Sequence, residues 1–238
     1  MIDFKRLTLL DSIPSISASI SLFGAIVMII LGILNQEQAI EHIDFNTIGL
    51  LVGMMIIVNI LKRTGVFEYL AIRAAKKAKG DPWKILVLFA IITALSSAFL
   101  DNVTTILLIV PVTLVITDTL DTNPIPFMFT EILIANIGGT ATLIGDPPNI
   151  MIGSATGLGF VDFIVNLAPV VIVISVATLF LLKLIYKDFL KATDENKQKI
   201  MKMDESITIK DKLLLKKSLI VLFLTILGFM VHAQFHLE

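Results

Sequence analysis

Long apolar stretches alternate with short charged segments along the 238 residues of the chain. A helix rises about 1.5 Å per residue, so roughly 20 apolar residues cross a hydrocarbon core of about 30 Å. The pattern therefore predicts an all-α membrane protein. The predicted membrane segments are 18–34, 46–61, 84–120, 127–160, 161–185 and 218–235, and the polar linkers are 62–83 and 186–217.

Residues 84–120 contain two apolar runs that meet at Asp101-Asn102. One interpretation is a re-entrant hairpin, which enters the membrane and returns to the same side. The alternative is two separate crossings joined by a very tight exterior turn. We favour the hairpin, because two antiparallel spans are hard to join through two residues without glycine or proline, and because a buried tip uses Asp101 and Asn102 as ligands.

Residues 127–160 are apolar but interrupted in the middle by glycines, prolines and a carboxylate. Gly138-Gly139 is expected to end one half-helix, with glycine in a left-handed cap. Asp146-Pro147 is expected to begin the next, with Asp146 as the cap. A break at membrane depth is tolerated where it is buried in protein or lines a wet cavity, and transporters build sites from such breaks. The alternative is a short polar loop between two ordinary spans.

All lysines and arginines fall within residues 5–6, 62–84 and 183–217. The positive-inside rule places these three regions in the cytoplasm, which predicts a multi-pass protein of the cytoplasmic membrane. The spacing of apolar residues within 62–84 predicts an amphipathic helix lying at the interface. Asp81-Pro82 forms a good cap and first-turn pair for the helix that follows.

Asp101 is the strongest candidate for chemistry, because it is the only charged residue between Lys84 and Asp118. A carboxylate in a membrane costs about 2.5–3.5 kcal/mol on insertion scales unless it is paired, hydrated or protonated. It can bind a proton or a cation such as Na⁺, and it can also simply cap the helix that begins near Val103. We assign coupling carboxylates to Asp101 and Asp146. The candidate substrate or ion ligands are Asn102, Thr104, Thr105, Gly138, Gly139, Thr140 and Asn149.

Other polar residues carry weaker signals. Glu131 lies in an apolar run close to a loop, so an interfacial position is favoured over a proton site. Asp162 is expected to start a helix at the membrane surface.

The break within residues 127–160 should present two helix ends. The carbonyl end of the first half-helix favours a cation, and the amino end of the second favours an anion.

Several classes of function have no support in the sequence. The chain has no cysteine, and His42, His232 and His236 lack the spacing of metal ligands. No nucleophile motif or phosphate-binding loop is present, so an enzyme is the least favoured class. The net charge of −1 indicates no nucleic-acid partner. No cofactor is expected beyond a transported or coupling Na⁺ or H⁺.

Three stretches together resemble a known family: residues 44–55, 95–111 and 135–157. They are similar to the arsenite-permease and P-protein branch of the citrate-transporter-like ion transporter superfamily. The resemblance implies two inverted repeats, each with a re-entrant hairpin and a broken helix, and secondary transport driven by H⁺ or Na⁺. Asp101 stands where the sodium-coupled carboxylate transporters of this superfamily carry a serine, which disfavours a carboxylate substrate.

The chain contains one copy of the hairpin and broken-helix motifs, so it resembles one repeat of a full transporter. We expect a partner in the form of the second repeat, a second copy or another chain, in addition to the lipid bilayer. The leading hypothesis is a secondary transporter, or its N-terminal half, that moves a small anion or an arsenite-like solute. The alternatives are a Na⁺/H⁺ antiporter and a non-transporting assembly subunit or inactive fragment.

Overall fold

The computed structural model describes the backbone of residues 4–235 and the side chains of residue 16 and residues 18–231. The side chains of Lys5, Arg6, His232 and His236 lie outside the described residues. Within that range the chain is helical and divides into two units, residues 1–45 and 46–238. In the first unit, α1 spans Phe4–Ile30 and α2 spans Gln36–Glu41. The helix thus begins well before the predicted segment 18–34 and ends before Leu34, in a turn at residues 31–34.

The second unit contains the remaining helices. They are α3 (Phe45–Arg63), α4 (Val66–Lys77), α5 (Pro82–Phe99), α6 (Asn102–Leu120), α7 (Ile125–Gly139), α8 (Pro147–Thr156), α9 (Phe160–Tyr186), α10 (Asp194–Met201) and α11 (Lys212–Phe235), with a 3-10 turn at Glu205–Thr208. Among the described residues, five helices are long and apolar enough to cross a membrane: α3, α5, α6, α9 and α11. The protein is therefore an all-α membrane protein.

Helices α5 and α6 form the predicted pair around Asp101. Asp81 caps α5 by accepting a 2.9 Å hydrogen bond from the Lys84 amide, and Pro82 occupies the first turn, as predicted. Only Leu100 and Asp101 separate the two helices. Each helix is long and apolar enough to span a membrane. Pro111 lies inside α6. This pair packs against α7, which places the Asp101 turn beside the broken segment.

The two polar linkers are more structured than the sequence predicted. The first contains α4, which buries Phe67, Ala71 and Ala75 against neighbouring helices of the protein. The second contains α10 and the 3-10 turn, and both pack against α4. The prediction of an interfacial helix at 62–84 missed this packing, because an amphipathic pattern fits a protein surface as well as a lipid surface.

The interior and the lipid-facing surface follow the apolar pattern. The main core joins α4, α5, α6, α7 and α10 around residues such as Phe89, Ile116 and Phe127. By contrast, α9 and α11 expose many large apolar side chains, including Val173, Phe180 and Phe223. Exposed apolar faces of this size suit a hydrocarbon environment.

Candidate functional site

The turn between α5 and α6 is held by Asp101. Its backbone is extended, and its side chain accepts a 2.8 Å hydrogen bond from the Thr104 amide, so Asp101 caps α6. The carboxylate is half-buried. Capping leaves lone pairs on the carboxylate available, because each of its two oxygens can accept more than one hydrogen bond. Asp101 can therefore cap the helix and still receive a proton or a cation.

The first half-helix of the broken segment, α7, ends at Gly139 as the sequence predicted. The reason differs from the prediction of a left-handed glycine cap. The cap residue is Thr140, with φ of −69° in the right-handed region. Instead, the glycines permit close approach: a Cβ on Gly138 would lie 2.7 Å from the Ala94 Cα of α5, and one on Gly139 would lie 2.8 Å from the Gly145 carbonyl oxygen.

The break between α7 and α8 is stabilised by hydrogen bonds to the end of α5. Ser97 Oγ donates to the Ala135 carbonyl at 2.6 Å. The buried Thr142 hydroxyl donates to the Ala98 carbonyl and accepts from the Gly145 amide. These bonds satisfy backbone groups that a broken helix would otherwise leave unpaired in the membrane.

Asn149 closes the break from the other side. Its side-chain amide donates to the carbonyls of Thr140 and Thr142 at 3.2 and 2.9 Å. The residue is 9% exposed. Asn149 was predicted as a ligand, but in this structure its donors are used to hold the backbone of the break.

The second half-helix, α8, begins at Pro147 after Asp146, which occupies the cap position without a side-chain capping bond. Pro147 and Pro148 have no N–H, and the Asn149 amide donates to the Asp146 carbonyl at 3.0 Å. The first three positions of α8 therefore offer no free backbone donor. This runs against the predicted anion-binding end, since anion binding at a helix start depends on such donors.

Two acidic and two amide residues lie where the α5–α6 turn and the end of α7 approach the break. Asp101 precedes α6 and Asp146 precedes α8, and a Cβ on Gly145 would lie 2.7 Å from the Ser97 carbonyl oxygen of α5. Asn102 Nδ2 donates to Asn136 Oδ1 at 2.9 Å, and the Asn136 amide donates to the Ile132 carbonyl at 2.8 Å. Asn136 is exposed, and Asp101, Asn102 and Asp146 are half-buried. We call Asp101, Asn102, Asn136 and Asp146 the tip cluster.

The other predicted ligands lie around the tip cluster in different roles. Thr104 is half-buried and uses its amide to bind Asp101. Thr105 is fully buried, and its hydroxyl has no hydrogen-bond partner among the described residues. Thr140 is exposed, and its hydroxyl donates to the Ile137 carbonyl at 2.7 Å.

Sequence reasoning missed Asn136 and Ser97 as contributors to this region. Both are polar residues in apolar runs, which is a usable signal on its own. The described residues contain no group of three or more His, Cys, Asp or Glu side chains arranged to hold a metal ion.

The position of Glu131 differs from the prediction. Its side chain was expected at the membrane interface, but the residue is 1% exposed within the packed helices. Thr113 Oγ1 of α6 donates to Glu131 Oε1 at 2.5 Å. Closeness in sequence to the loop before α7 was a poor guide, because the first turns of α7 are already buried in the core through Phe127.

Comparison with known proteins agrees with this architecture. The sequence profile named citrate transporter matches residues 12–238. The chain belongs to the citrate transporter family. The resemblance to this superfamily that the motifs indicated is thereby confirmed.

Among the relatives is a 46 kDa membrane protein of Mycobacterium leprae, 44% identical over 220 residues, or 91% of this chain and 51% of that protein. A protein of Mycobacterium tuberculosis named as an uncharacterized transporter is 43% identical over 223 residues, or 92% of this chain and 52% of its own length. The human P protein is 41% identical over 154 residues, or 63% of this chain and 18% of the P protein.

The chain thus spans about half the length of the mycobacterial relatives it matches. The match to the P protein confirms the branch of the superfamily that the motifs indicated. The citrate transporter profile, which matches residues 12–238, covers both the tip cluster and the break.

Proposed function

We propose that this chain is part of a secondary active transporter that moves a small anion or an arsenite-like solute across the cytoplasmic membrane, coupled to H⁺ or Na⁺. The coupling groups are Asp101 and Asp146. The observation that carries the proposal is the contact between the break before Asp146 and the end of α5 just before Asp101. Thr142 donates to the Ala98 carbonyl, and a Cβ on Gly145 would lie 2.7 Å from the Ser97 carbonyl oxygen. Acidic residues within membrane segments commonly mark ion and proton pathways.

The arrangement of α5 and α6 supports this function. In the proposed topology they form a re-entrant hairpin whose tip reaches the break in the α7–α8 segment. Hydrogen bonds from Ser97, Asn102 and Thr142 tie the tip to the break. A site assembled in this way can change its exposure when the hairpin and the broken segment move together against the rest of the protein.

A Na⁺/H⁺ antiporter is a second candidate, and the charge of the region favours it. No lysine or arginine occurs between Lys84 and Lys183, so this chain brings no cationic side chain from α5–α8 to balance a bound anion beyond Lys84 at the start of α5. The amino end of α8 also has no free backbone donor at its first three positions, because two are prolines and the Asn149 amide already binds the Asp146 carbonyl. Both features suit a cation better than an anion.

Flux measurements test the two candidates. The full-length protein is reconstituted in liposomes, and uptake of arsenite, citrate and Na⁺ is measured under imposed pH and Na⁺ gradients. Solute uptake that follows a gradient supports the first candidate. Sodium-dependent proton movement without any added solute supports the antiporter, and no flux of any of these ions would contradict both.

Asp101→Asn and Asp146→Asn should each lower gradient-driven flux at least tenfold, because an amide cannot take up the proton or balance the charge of the cation. The matched control is Asp121→Asn at the exposed end of α6, where φ is 52° and asparagine is well tolerated. Asp121→Asn should leave flux unchanged. Equal losses in all three variants would argue against a specific role for the tip cluster.

We also propose that Asn136 of the tip cluster and the neighbouring Thr140, which are both exposed, face a second repeat or a second copy of this chain. Because these 238 residues contain no cysteine, a cysteine introduced at Thr140 is the only one within them, and the same protein without this substitution gives the background. Cross-linking of Thr140→Cys to itself in native membranes indicates a second copy. A disulfide with a cysteine placed elsewhere in a longer polypeptide indicates an internal repeat.

A further inference from the structure

Glu131 lies in the packed interior, about two helical turns from the Gly139 end of α7. Thr113 donates to one carboxyl oxygen, Oε1, at 2.5 Å. The other oxygen, Oε2, has no hydrogen-bond partner among the described residues. The residue is 1% exposed. A carboxylate buried in this way, without a cation beside it, is strongly destabilised relative to water.

No charged group of the described chain offsets this burial. The helices that pack against α7 are chiefly α5, α6 and α9. Among the described residues, Glu131 forms no ion pair, and its carboxyl group accepts a hydrogen bond from the hydroxyl of Thr113. The titratable side chains of the packed helices are Lys84 on α5, Asp118 on α6, and Asp162, Lys183 and Tyr186 on α9. The environment therefore accommodates a neutral carboxyl group better than a carboxylate.

Two further buried hydroxyls in the described helices lack a hydrogen-bond partner. Thr93 of α5 and Thr105 of α6 are 0% exposed, and their hydroxyls have no hydrogen-bond partner among the described residues. Together with Glu131 Oε2, these are the buried polar side-chain atoms without a partner in the described part of the chain. All three belong to α5, α6 and α7, the helices that also build the tip cluster. Buried polar atoms are rarely left unpaired, so such atoms point to a function or to a transient partner.

We infer that Glu131 is a proton-binding site separate from the tip cluster, which gains and loses its proton during the transport cycle. A hydronium ion gives its proton to Oε2, leaving water and a neutral carboxyl group hydrogen-bonded to Thr113. The reverse step returns the proton to water. This inference rests on the proposed function, because it makes H⁺ at least one of the coupling ions.

Carbodiimide labelling of the wild-type protein tests the proton site without depending on transport. Dicyclohexylcarbodiimide reacts with protonated carboxyl groups in apolar surroundings, and peptide mass spectrometry locates the modified residue. The expected result is modification of Glu131 that becomes slower as the pH rises, whereas Asp118 at the exposed end of α6 stays unmodified. Folded protein in which Glu131 remains unmodified at every pH would overturn the inference.

The variant Glu131→Gln tests the role of the proton in transport. Glutamine keeps an oxygen that accepts from Thr113 and is close in size, but it cannot release a proton. Uptake driven by a pH gradient should fall at least tenfold, while solute exchange without a gradient should stay within about twofold of wild type. The matched control Asp118→Asn should change neither. Normal pH-driven uptake in folded Glu131→Gln protein would overturn the inference.

The two measurements separate failure of this inference from failure of the proposed function. If no solute or Na⁺ flux is found in the wild-type protein, the proposed function fails, and labelling alone decides whether Glu131 binds a proton. If flux is found and Glu131 is neither labelled nor needed for pH coupling, the proposed function stands and the proton site is rejected.

Discussion

Gly138 lies where α7 crosses α5, and the Ala94 backbone leaves no room for a side chain at this position. A methyl group there would sit 2.7 Å from the Ala94 Cα, and neither backbone can yield without shifting a whole helix. The residue therefore sets how close the broken segment lies to the α5–α6 turn, and with it the geometry of the tip cluster.

Gly138→Ala is expected to destabilise the protein by about 1–3 kcal/mol, the usual cost of overpacking a tight interior. The matched control is Gly228→Ala in α11, where an added Cβ meets no atom within 4 Å. That control should be neutral or slightly stabilising, since alanine favours helix over glycine. Thermal unfolding in detergent, followed by size-exclusion chromatography, measures both. Equal melting temperatures for the two variants would contradict the packing argument.

The sequence predicted where α7 ends, but it could not predict why. Glycine pairs usually suggest a left-handed cap, and close approach to another helix depends on a partner that is distant in sequence. The burial of Glu131 could not be predicted for the same reason. Its position near a loop suggested an interfacial site, whereas its burial depends on how α5, α6 and α9 pack around α7. The capping role of Asp101 was predicted from a local signal, a lone acid between two apolar runs, and is confirmed. Its role as a coupling carboxylate stays a prediction.

At the scale of elements, the junction of α5 with the break depends on Thr142. Its hydroxyl binds the Ala98 carbonyl, one of the last carbonyls of α5, and accepts from the Gly145 amide inside the break. The helix starts at Asp81-Pro82 and Asp146-Pro147 were predicted from local capping patterns. The Thr142 contact was not predicted, since it joins residues that are far apart in sequence.

Thr142→Val keeps the side-chain shape but removes both hydrogen bonds. The Ala98 carbonyl and Gly145 amide would then be buried without partners, at a cost of about 1–3 kcal/mol each. We expect a lower melting temperature and weaker gradient-driven flux. Thr156→Val in α8 is the matched control, because the Thr156 hydroxyl is exposed and binds only the Ile152 carbonyl of its own helix. A melting temperature for Thr142→Val within error of that control would show that the junction is held by other contacts.

At the scale of the whole molecule, the two polar linkers pack together instead of acting as loose connections. Lys76 of α4 donates to the Met203 carbonyl at 3.0 Å and forms a 2.5 Å ion pair with Glu205 in the 3-10 turn. The Lys210 amide donates to the Thr64 carbonyl at 3.0 Å. The side chains of Lys76 and Glu205 are 27% and 26% exposed, so solvent screens this pair in part. These contacts connect α3 and α4 to the segment leading into α11.

The Lys76–Glu205 pair makes this packing dependent on pH. The hydrogen bond from Lys76 is the largest influence on Glu205 and holds the pKa of its carboxyl group below the ordinary value of 4.5. A lowered pKa in the folded state means that the stabilisation is fully present above 4.5 and is lost as the pH falls through the lowered value. The packing of residues 202–211 should therefore loosen in acid.

Hydrogen–deuterium exchange of residues 202–211, corrected for the intrinsic effect of pH, measures this loosening. At neutral pH, Lys76→Gln should exchange several times faster than wild type, because the ion pair and the bond to the Met203 carbonyl are weakened together. In acid strong enough to protonate Glu205, the exchange rates of the two proteins should converge.

Lys199→Gln is the matched control, since Lys199 pairs with Glu195 at 3.5 Å on an exposed face of α10. This variant should leave the exchange of residues 202–211 unchanged. The corrected exchange rates of wild type and Lys76→Gln could instead differ by the same factor at every pH. That result would mean that Lys76 acts only through the Met203 carbonyl, and that the charge of Glu205 does not stabilise the packing of the linkers.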